Sequence, residues 1–151
     1  MTYATANSRY LENRVATASQ PELQLILLDG ALRFGRLSEQ LWNESAQRDD
    51  CDHLLTRVID ILETLIQGVA GGQTELSKRF EEEYAFVFRQ VSLAHLHHDS
   101  APLALALRLL DFERETWRLA CEQLKTAPEP GTPIAPLAGA HFSGASLSLQ
   151  G

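Results

Sequence analysis

Residues 10–34 read YLENRVATASQPELQLILLDGALRF, and the middle of this stretch fixes where the first long helix begins. Ser19 and Glu22 have the spacing of a capping box, in which the serine oxygen accepts one backbone N–H and the glutamate reaches back to another. Pro21 suits a first helical turn, which needs no N–H from it. The sequence therefore predicts a helix that begins near Gln20. Residues 1–18 are predicted to form an extended N-terminal arm of mixed polarity ahead of it.

Working outward from this stretch, four segments carry apolar residues at alternating spacings of three and four, the pattern of amphipathic helices. They cover about residues 20–47, 50–69, 74–97 and 101–124. Their stripes are Leu23, Leu27, Gly30, Phe34, Leu37 and Leu41; Leu55, Val58, Leu62, Leu65 and Val69; Leu76, Phe80, Tyr84, Val87, Val91 and Ala94; and Leu103, Leu107, Leu110, Arg114, Trp117, Cys121 and Leu124. Short connections make consecutive helices antiparallel neighbours. The sequence thus predicts an all-α fold, an antiparallel up-down four-helix bundle over residues 19–125.

Two positions interrupt the stripes. Gly30 lowers the helix propensity of the first segment, so we expect it to permit a close approach of another helix or of the arm. Arg114 is a cation on an apolar stripe, and a buried arginine needs an acidic partner, for which Asp29 or Glu83 could serve. The alternatives are that its stem packs while the guanidinium reaches solvent, or that it contacts a binding partner.

The composition excludes several function classes. The 151 residues suffice for one domain with an ordinary core, and 13 basic against 20 acidic residues give a net charge of −7. This balance disfavours nucleic acid as a partner, because phosphate binding requires a basic face. No apolar run approaches the roughly 18–20 residues of a membrane-spanning helix, and the first residues lack signal-peptide features, so no membrane insertion is expected.

Cys51 and Cys121 are predicted to be free thiols of a reducing cytosol.

Residues 126–151 differ in character from the rest. They hold four of the six prolines, four of the nine glycines and one charged residue, Glu129. Such a segment buries too little apolar surface to offset its ordering entropy, so it is predicted to be a disordered tail. The alternative is a short binding element at residues 147–149 that docks on an apolar groove.

No arrangement of residues in the sequence indicates catalysis. His95, His97 and His98 cluster where the third helix should end, and there a histidine side chain complements the helix dipole and the free carbonyls. A metal pair of His95 and His98 in a metal-dependent enzyme is the alternative. Phosphate-loop, nucleophile-elbow and Cys-x-x-Cys motifs are absent from the sequence, which is expected to use no cofactor and no metal.

Three phenylalanines lie off the main stripes, at positions 86, 88 and 112. Apolar side chains that are not needed in the core can form an exposed groove, and such a groove binds protein more often than it catalyses. The residue pattern therefore favours a binding module over an enzyme.

The quoted stretch also resembles the N-terminal signature of the flagellar secretion chaperone FliS family. The resemblance rests on Tyr10, Val15, Thr17, Ala18, Ser19, Leu23, Leu25, Leu27 and residues 29–34, on residues 84–89 with Ala94 and Asp99, and on Phe112, Glu113, Arg114 and Trp117. It extends over about residues 10–124. Leu28 departs from it, since the family often has tyrosine there, and residues 20–21 and 97–99 depart at helix ends.

The resemblance implies a cytoplasmic, non-enzymatic chaperone that binds the disordered C-terminal segment of flagellin. Such a protein prevents premature polymerisation and delivers flagellin to an export gate component of the flagellar type III secretion system. Partner-binding residues implied by it, with Arg114 added from its stripe position, are Tyr10, Val15, Leu23, Ile26, Leu27, Tyr84, Phe88, Arg114 and Trp117. Tyr10 and Val15 would belong to an arm that can cover the groove. A module for another export protein or a flagellar regulator is the alternative, and homodimerisation stays open.

Overall fold

A computed structural model of the chain describes the backbone of residues 2–126 and the side chains of residues 8–126. This part of the chain holds helices α1 (Thr2–Thr17), α2 (Gln20–Leu41), α3 (Arg48–Val69), α4 (Glu75–His97) and α5 (Ser100–Thr126), with a 3-10 turn at Ser45–Gln47. The described residues contain no strand, which confirms the all-α prediction. None of the described helices combines the length and apolar character needed to cross a membrane. The predicted disordered tail lies outside the described residues from position 127 onward.

The start of α2 follows the predicted capping signal. Ser19 adopts an extended conformation, and its side-chain oxygen accepts the backbone N–H of Glu22 at 3.4 Å. Pro21 occupies the first turn. The helix ends at Leu41, earlier than predicted, because the chain turns through the 3-10 segment before α3 begins.

The prediction of an extended N-terminal arm is wrong, because residues Thr2–Thr17 form helix α1. Alanine, leucine, glutamate and arginine in this segment have high helix propensity, but they do not form an apolar stripe, so periodicity gave no helical signal. The side chains of Tyr10 and Val15 are 61% and 44% exposed. Helix α1 does not pack extensively on any other helix.

Helices α2 to α5 pack in a closed ring, since α2 and α4 each lie along both α3 and α5. One contiguous core fills the ring and includes residues from all four helices. The predicted stripe of α3 is buried in full: Leu55, Val58, Leu62, Leu65 and Val69. Most stripe residues of α4 and α5 are buried as well, whereas Leu76 is partly buried and Leu124 is exposed.

The predicted stripe of α2 is wrong by one residue. The buried face of α2 consists of Pro21, Gln24, Leu28, Ala31, Leu32, Gly35 and Ser38. Leu23 and Leu27 are only partly buried, and Leu37 is exposed. Residues 25–28 are all apolar, so the hydrophobic pattern could not tell which of them faces inward.

The expected role of Gly30 is also wrong. A Cβ atom at Gly30 would lie 3.4 Å from Ile61 Cδ1, an ordinary van der Waals contact. Close approaches occur instead at Gly35, where a Cβ would overlap the side chain of Leu107, and at Gly68, where it would lie 2.6 Å from Gln24 Nε2. An added Cβ would therefore displace a side chain where α2 meets α5 and where α3 meets α2.

Candidate partner-binding faces

A buried polar chain joins three helices inside the ring. The indole Nε1–H of Trp117 donates to the Tyr84 hydroxyl at 2.8 Å, and that hydroxyl donates to Gln24 Oε1 at 3.1 Å. Tyr84 is 0% and Trp117 1% exposed, and burial raises the pKa of Tyr84 well above its usual value. Two of the predicted partner-binding residues therefore lie in the core, where they hold α2, α4 and α5 together.

A pair of carboxyl groups lies beside this chain, and sequence reasoning missed it. Glu113 is 2% exposed, and its burial, together with the hydrogen bond and negative charge of Glu83, raises its pKa to about 9. Burial alone would raise the pKa of Glu83, but hydrogen bonds from Glu113 and Arg79 lower it. Glu113 thus keeps its proton at neutral pH and donates to the Glu83 carboxylate, while Arg79 Nε donates to Glu83 at 2.9 Å. The spacing of Glu113, three residues after Leu110 and four before Trp117, could have indicated a buried carboxyl.

The cleft between α3 and α4 is the most apolar of the described surface clefts. It has a volume of about 360 Å³. Ile66, Ala85 and Phe88 form its apolar surface, and Glu63, Gln67 and Arg89 line its edges. Phe88 is partly buried there, which places one predicted partner-binding residue on an accessible apolar face.

A smaller cleft of about 140 Å³ separates α4 from α5. Leu76, Phe80, Phe112 and Thr116 line it, and Glu83 and Glu113 form its polar end. Phe112 is 61% exposed at its edge. The off-stripe phenylalanines thus behave as predicted: Phe112 is exposed, and Phe86 and Phe88 are only partly buried.

The cleft between α2 and α5 is charged. Arg114 pairs with Asp29, and Arg36 pairs with Asp111, so two ion pairs join these helices at the surface. Asp29 is one of the two partners expected for Arg114, and the guanidinium side chain remains 39% exposed, so its stem packs while its head reaches solvent. The cleft has a volume of about 520 Å³ and is lined by Asp29, Leu32, Arg33, Arg36, Leu37, Gln40 and Arg114.

The nine predicted partner-binding residues are not gathered at one place. Tyr10 and Val15 project from α1, and Leu23, Ile26 and Leu27 are partly buried on α2. The remaining four lie on α4 and α5, as described above. The predicted residues therefore do not form a common surface, and their role in partner binding stays a prediction.

The histidine cluster ends α4 as the capping interpretation predicts. His95 and His97 occupy the last turn, and His98 is the C-cap residue in the left-handed conformation, with φ 48° and ψ 52°. The His98 ring stacks on Trp42 with centroids 4.4 Å apart. Within the part of the chain that the structure covers, no group of three or more His, Cys, Asp or Glu side chains could hold a metal ion. Cys51 and Cys121 are buried free thiols, as predicted.

Comparison with known proteins matches the chain to a family. The family model described as "Flagellar protein FliS" matches residues 2–124. The chain is also similar to a protein of Bacillus subtilis (strain 168) named flagellar secretion chaperone FliS. The two are 28% identical over 114 residues, which cover 75% of this chain and 84% of the other protein.

Proposed function

Since this chain belongs to the FliS family of flagellar proteins, we propose that it is a cytoplasmic export chaperone for flagellin. In this proposal it binds the disordered C-terminal segment of flagellin, prevents premature polymerisation and delivers the segment to the flagellar type III export apparatus. No catalytic step, cofactor or metal takes part. The similarity to a flagellar secretion chaperone supports the export role.

We infer that the ring of α2 to α5 is an up-down antiparallel four-helix bundle. The Cys51 thiol, near the start of α3, contacts the Ser38 carbonyl oxygen near the end of α2. Gly68, near the end of α3, approaches Gln24 near the start of α2. These contacts support opposite directions for α2 and α3. The pairs Asp29–Arg114 and Arg36–Asp111 support the same relation between α2 and α5.

The α3/α4 cleft is the observation that carries the chaperone proposal. A segment without stable structure can bind by laying the apolar face of a nascent helix into a groove between helices. Ile66, Ala85 and Phe88 offer such an apolar surface. The entropy lost when the segment becomes ordered limits the net affinity, which suits a chaperone that must release its client.

The predicted residues take different roles in this proposal. Phe88 contacts the client directly in the α3/α4 cleft, and Leu23, Ile26 and Leu27 offer a separate, partly buried apolar contact on α2. Tyr84 and Trp117 are positioning residues, because they are buried and fix α4 against α5. Arg114 holds α5 to α2 through Asp29. Tyr10 and Val15 belong to an N-terminal arm at residues 1–18, of which Thr2–Thr17 form helix α1, and this arm covers part of the client surface. Residues 19–125 form the chaperone domain, and residues 126–151 form a separate tail.

Titration with the C-terminal fragment of flagellin from the same organism tests the proposal. We expect binding at micromolar concentration or tighter. Phe88→Ala should weaken it at least about tenfold, because a phenylalanine side chain that a client covers contributes roughly 1.5–3 kcal/mol. Tyr10→Ala should weaken it as well or reduce the hydrogen-exchange protection of α1. Leu119→Ala removes an exposed apolar side chain elsewhere on α5 and is the matched control.

Absence of binding at micromolar concentration would favour the alternative module for another export protein or a flagellar regulator. Binding that Phe88→Ala and Leu119→Ala weaken equally would move the client away from the α3/α4 cleft. Unchanged affinity together with unchanged α1 protection in Tyr10→Ala would remove the arm from the proposal.

A further inference from the structure

The α2/α5 cleft has a charge opposite to that of the whole protein. The chain carries 20 acidic and 13 basic residues, yet this cleft is lined by three arginines, Arg33, Arg36 and Arg114, and by one aspartate, Asp29. A concave surface with an excess of one charge attracts groups of the opposite charge and raises their association rate. The cleft is therefore a place on this acidic protein where an acidic partner would meet little repulsion.

Arg33 is the arginine of this cleft that no internal acid neutralises. Among the described residues it has no carboxylate within the range of an ion pair, whereas Arg36 and Arg114 pair with Asp111 and Asp29. Its guanidinium lies 5.1 Å from the centre of the Phe34 ring. Arg57 of α3 lies 4.9 Å from the centre of the same ring and also has no such carboxylate among the described residues. The Phe34 ring thus lies beside two exposed cations, of which Arg33 lines the α2/α5 cleft and Arg57 lies outside it on α3.

An apolar contact accompanies these charges. Leu37 is 41% exposed and lines the cleft one helical turn after Arg33. A partner helix that carries a carboxylate and an apolar side chain one turn apart would match both groups at once, because side chains four residues apart share a helix face. The volume of about 520 Å³ is large enough to accept several such side chains.

We propose that the α2/α5 cleft is a second binding surface, which accepts an acidic amphipathic helix of a partner protein through Arg33 and Leu37. In the ring of helices this cleft lies opposite the α3/α4 cleft. Both faces can therefore be occupied together, so that an acidic partner would bind the protein while a client remains in place. The inference does not depend on the identity of the client.

A synthetic helical peptide of about four turns, with glutamate and leucine four residues apart on one face, is the probe. Its binding to the full-length chain is measured by fluorescence anisotropy and compared with a peptide in which glutamine replaces each glutamate. We expect the glutamate peptide to bind at least about threefold tighter at low salt, and the difference to vanish at high salt. Arg33→Gln should weaken glutamate-peptide binding about two- to fivefold and leave the glutamine peptide unaffected, whereas Arg57→Gln, outside the cleft, should weaken it less.

Lys78→Gln on α4 is the control, because it removes the same charge from an exposed site outside the cleft. Equal affinities for the two peptides, no binding of either peptide, or an equal loss in Lys78→Gln would overturn the proposal. A Glu129→Gln variant of the full chain that binds the peptide more tightly would assign the cleft to the chain's own C-terminal region instead. Self-association that Arg33→Gln abolishes would assign it to a second copy of the chain.

Discussion

Gly35 sets how closely α2 and α5 approach. Its missing Cβ leaves room for the buried side chain of Leu107, so Gly35→Ala should force that side chain from its position. Overpacking of this kind costs about 1–3 kcal/mol, which should appear as a lower urea midpoint. Gly30→Ala on the same helix is the matched control. Because a Cβ fits at Gly30, this substitution should stabilise the protein by up to about 1 kcal/mol through higher helix propensity. Equal effects of the two substitutions would show that the approach at Gly35 is not tight.

Glu113 should make the stability of the protein depend on pH. Its pKa is about 9 in the folded state, against an ordinary value of 4.5. Between these values the unfolded chain binds fewer protons than the folded one, so the stabilising contribution is complete below about pH 4.5 and is lost as the pH rises toward about 9. The lowered pKa of Glu83 stabilises the folded state above about pH 4.5. This contribution to the free energy of unfolding is lost as the pH falls below about 4.5.

Urea denaturation at about pH 5.5 and about pH 8.5 measures this dependence. Glu113→Gln retains a hydrogen-bond donor toward Glu83 but cannot ionise, so its free energy of unfolding should fall less with rising pH than that of the unaltered protein. Glu81→Gln is the control for a general change in charge. A slope in Glu113→Gln equal to that of the unaltered protein would refute the assignment of a buried proton to Glu113.

At the scale of secondary-structure elements, α2 and α3 show what the sequence could and could not predict. In α3 no more than two large apolar residues are consecutive, so the spacing alone identified the buried face. In α2 the apolar run at residues 25–28 surrounds the helix, and small or polar residues such as Gln24, Gly35 and Ser38 take inward positions. Small residues give no hydrophobic signal, although close packing between helices depends on them.

Helix α1 should be the least stable helix of the described chain. It spans 16 residues and packs extensively on no other helix, whereas isolated helices of this length are marginal in water. Amide hydrogen exchange should therefore be much faster in α1 than in the central turns of α2 to α5. Comparable protection would mean that α1 packs in solution against a surface of the protein or of a second copy. Addition of the flagellin fragment tests whether client binding changes that protection.

The whole molecule should unfold as a single unit apart from α1. This is expected because the core is contiguous across the ring. The two tryptophans of the chain, Trp42 and Trp117, lie near opposite ends of the ring and can report on each end. In a Trp42→Phe variant, fluorescence reports only the end that contains Trp117, whereas circular dichroism reports all helices. Both signals should change at the same urea concentration, as two-state unfolding requires. Separate midpoints would show that one end opens independently.

The candidate site was predictable only in part at this scale. Off-stripe spacing identified Phe88 and Phe112 as surface residues, because helical periodicity assigns faces. The arginine-rich cleft was not predictable, since Arg33 and Arg36 come from α2 and Arg114 from α5. Charges that are distant in sequence form one surface only after the helices pack. The net charge of the chain does not reveal such a local excess of one sign.

The two buried cysteines can report local opening of the helix ring through their reactivity. Cys51 contacts the Ser38 carbonyl near the end of α2, whereas Cys121 lies toward Glu22 near its start, so the thiols mark opposite ends of the ring. Burial raises the pKa of both thiols, which keeps the reactive thiolate scarce. The labelling rate of each thiol by a disulfide reagent is therefore limited by how often its end opens. Comparing the two rates with and without a client would locate the loosening that accompanies release, without any substitution on a binding face.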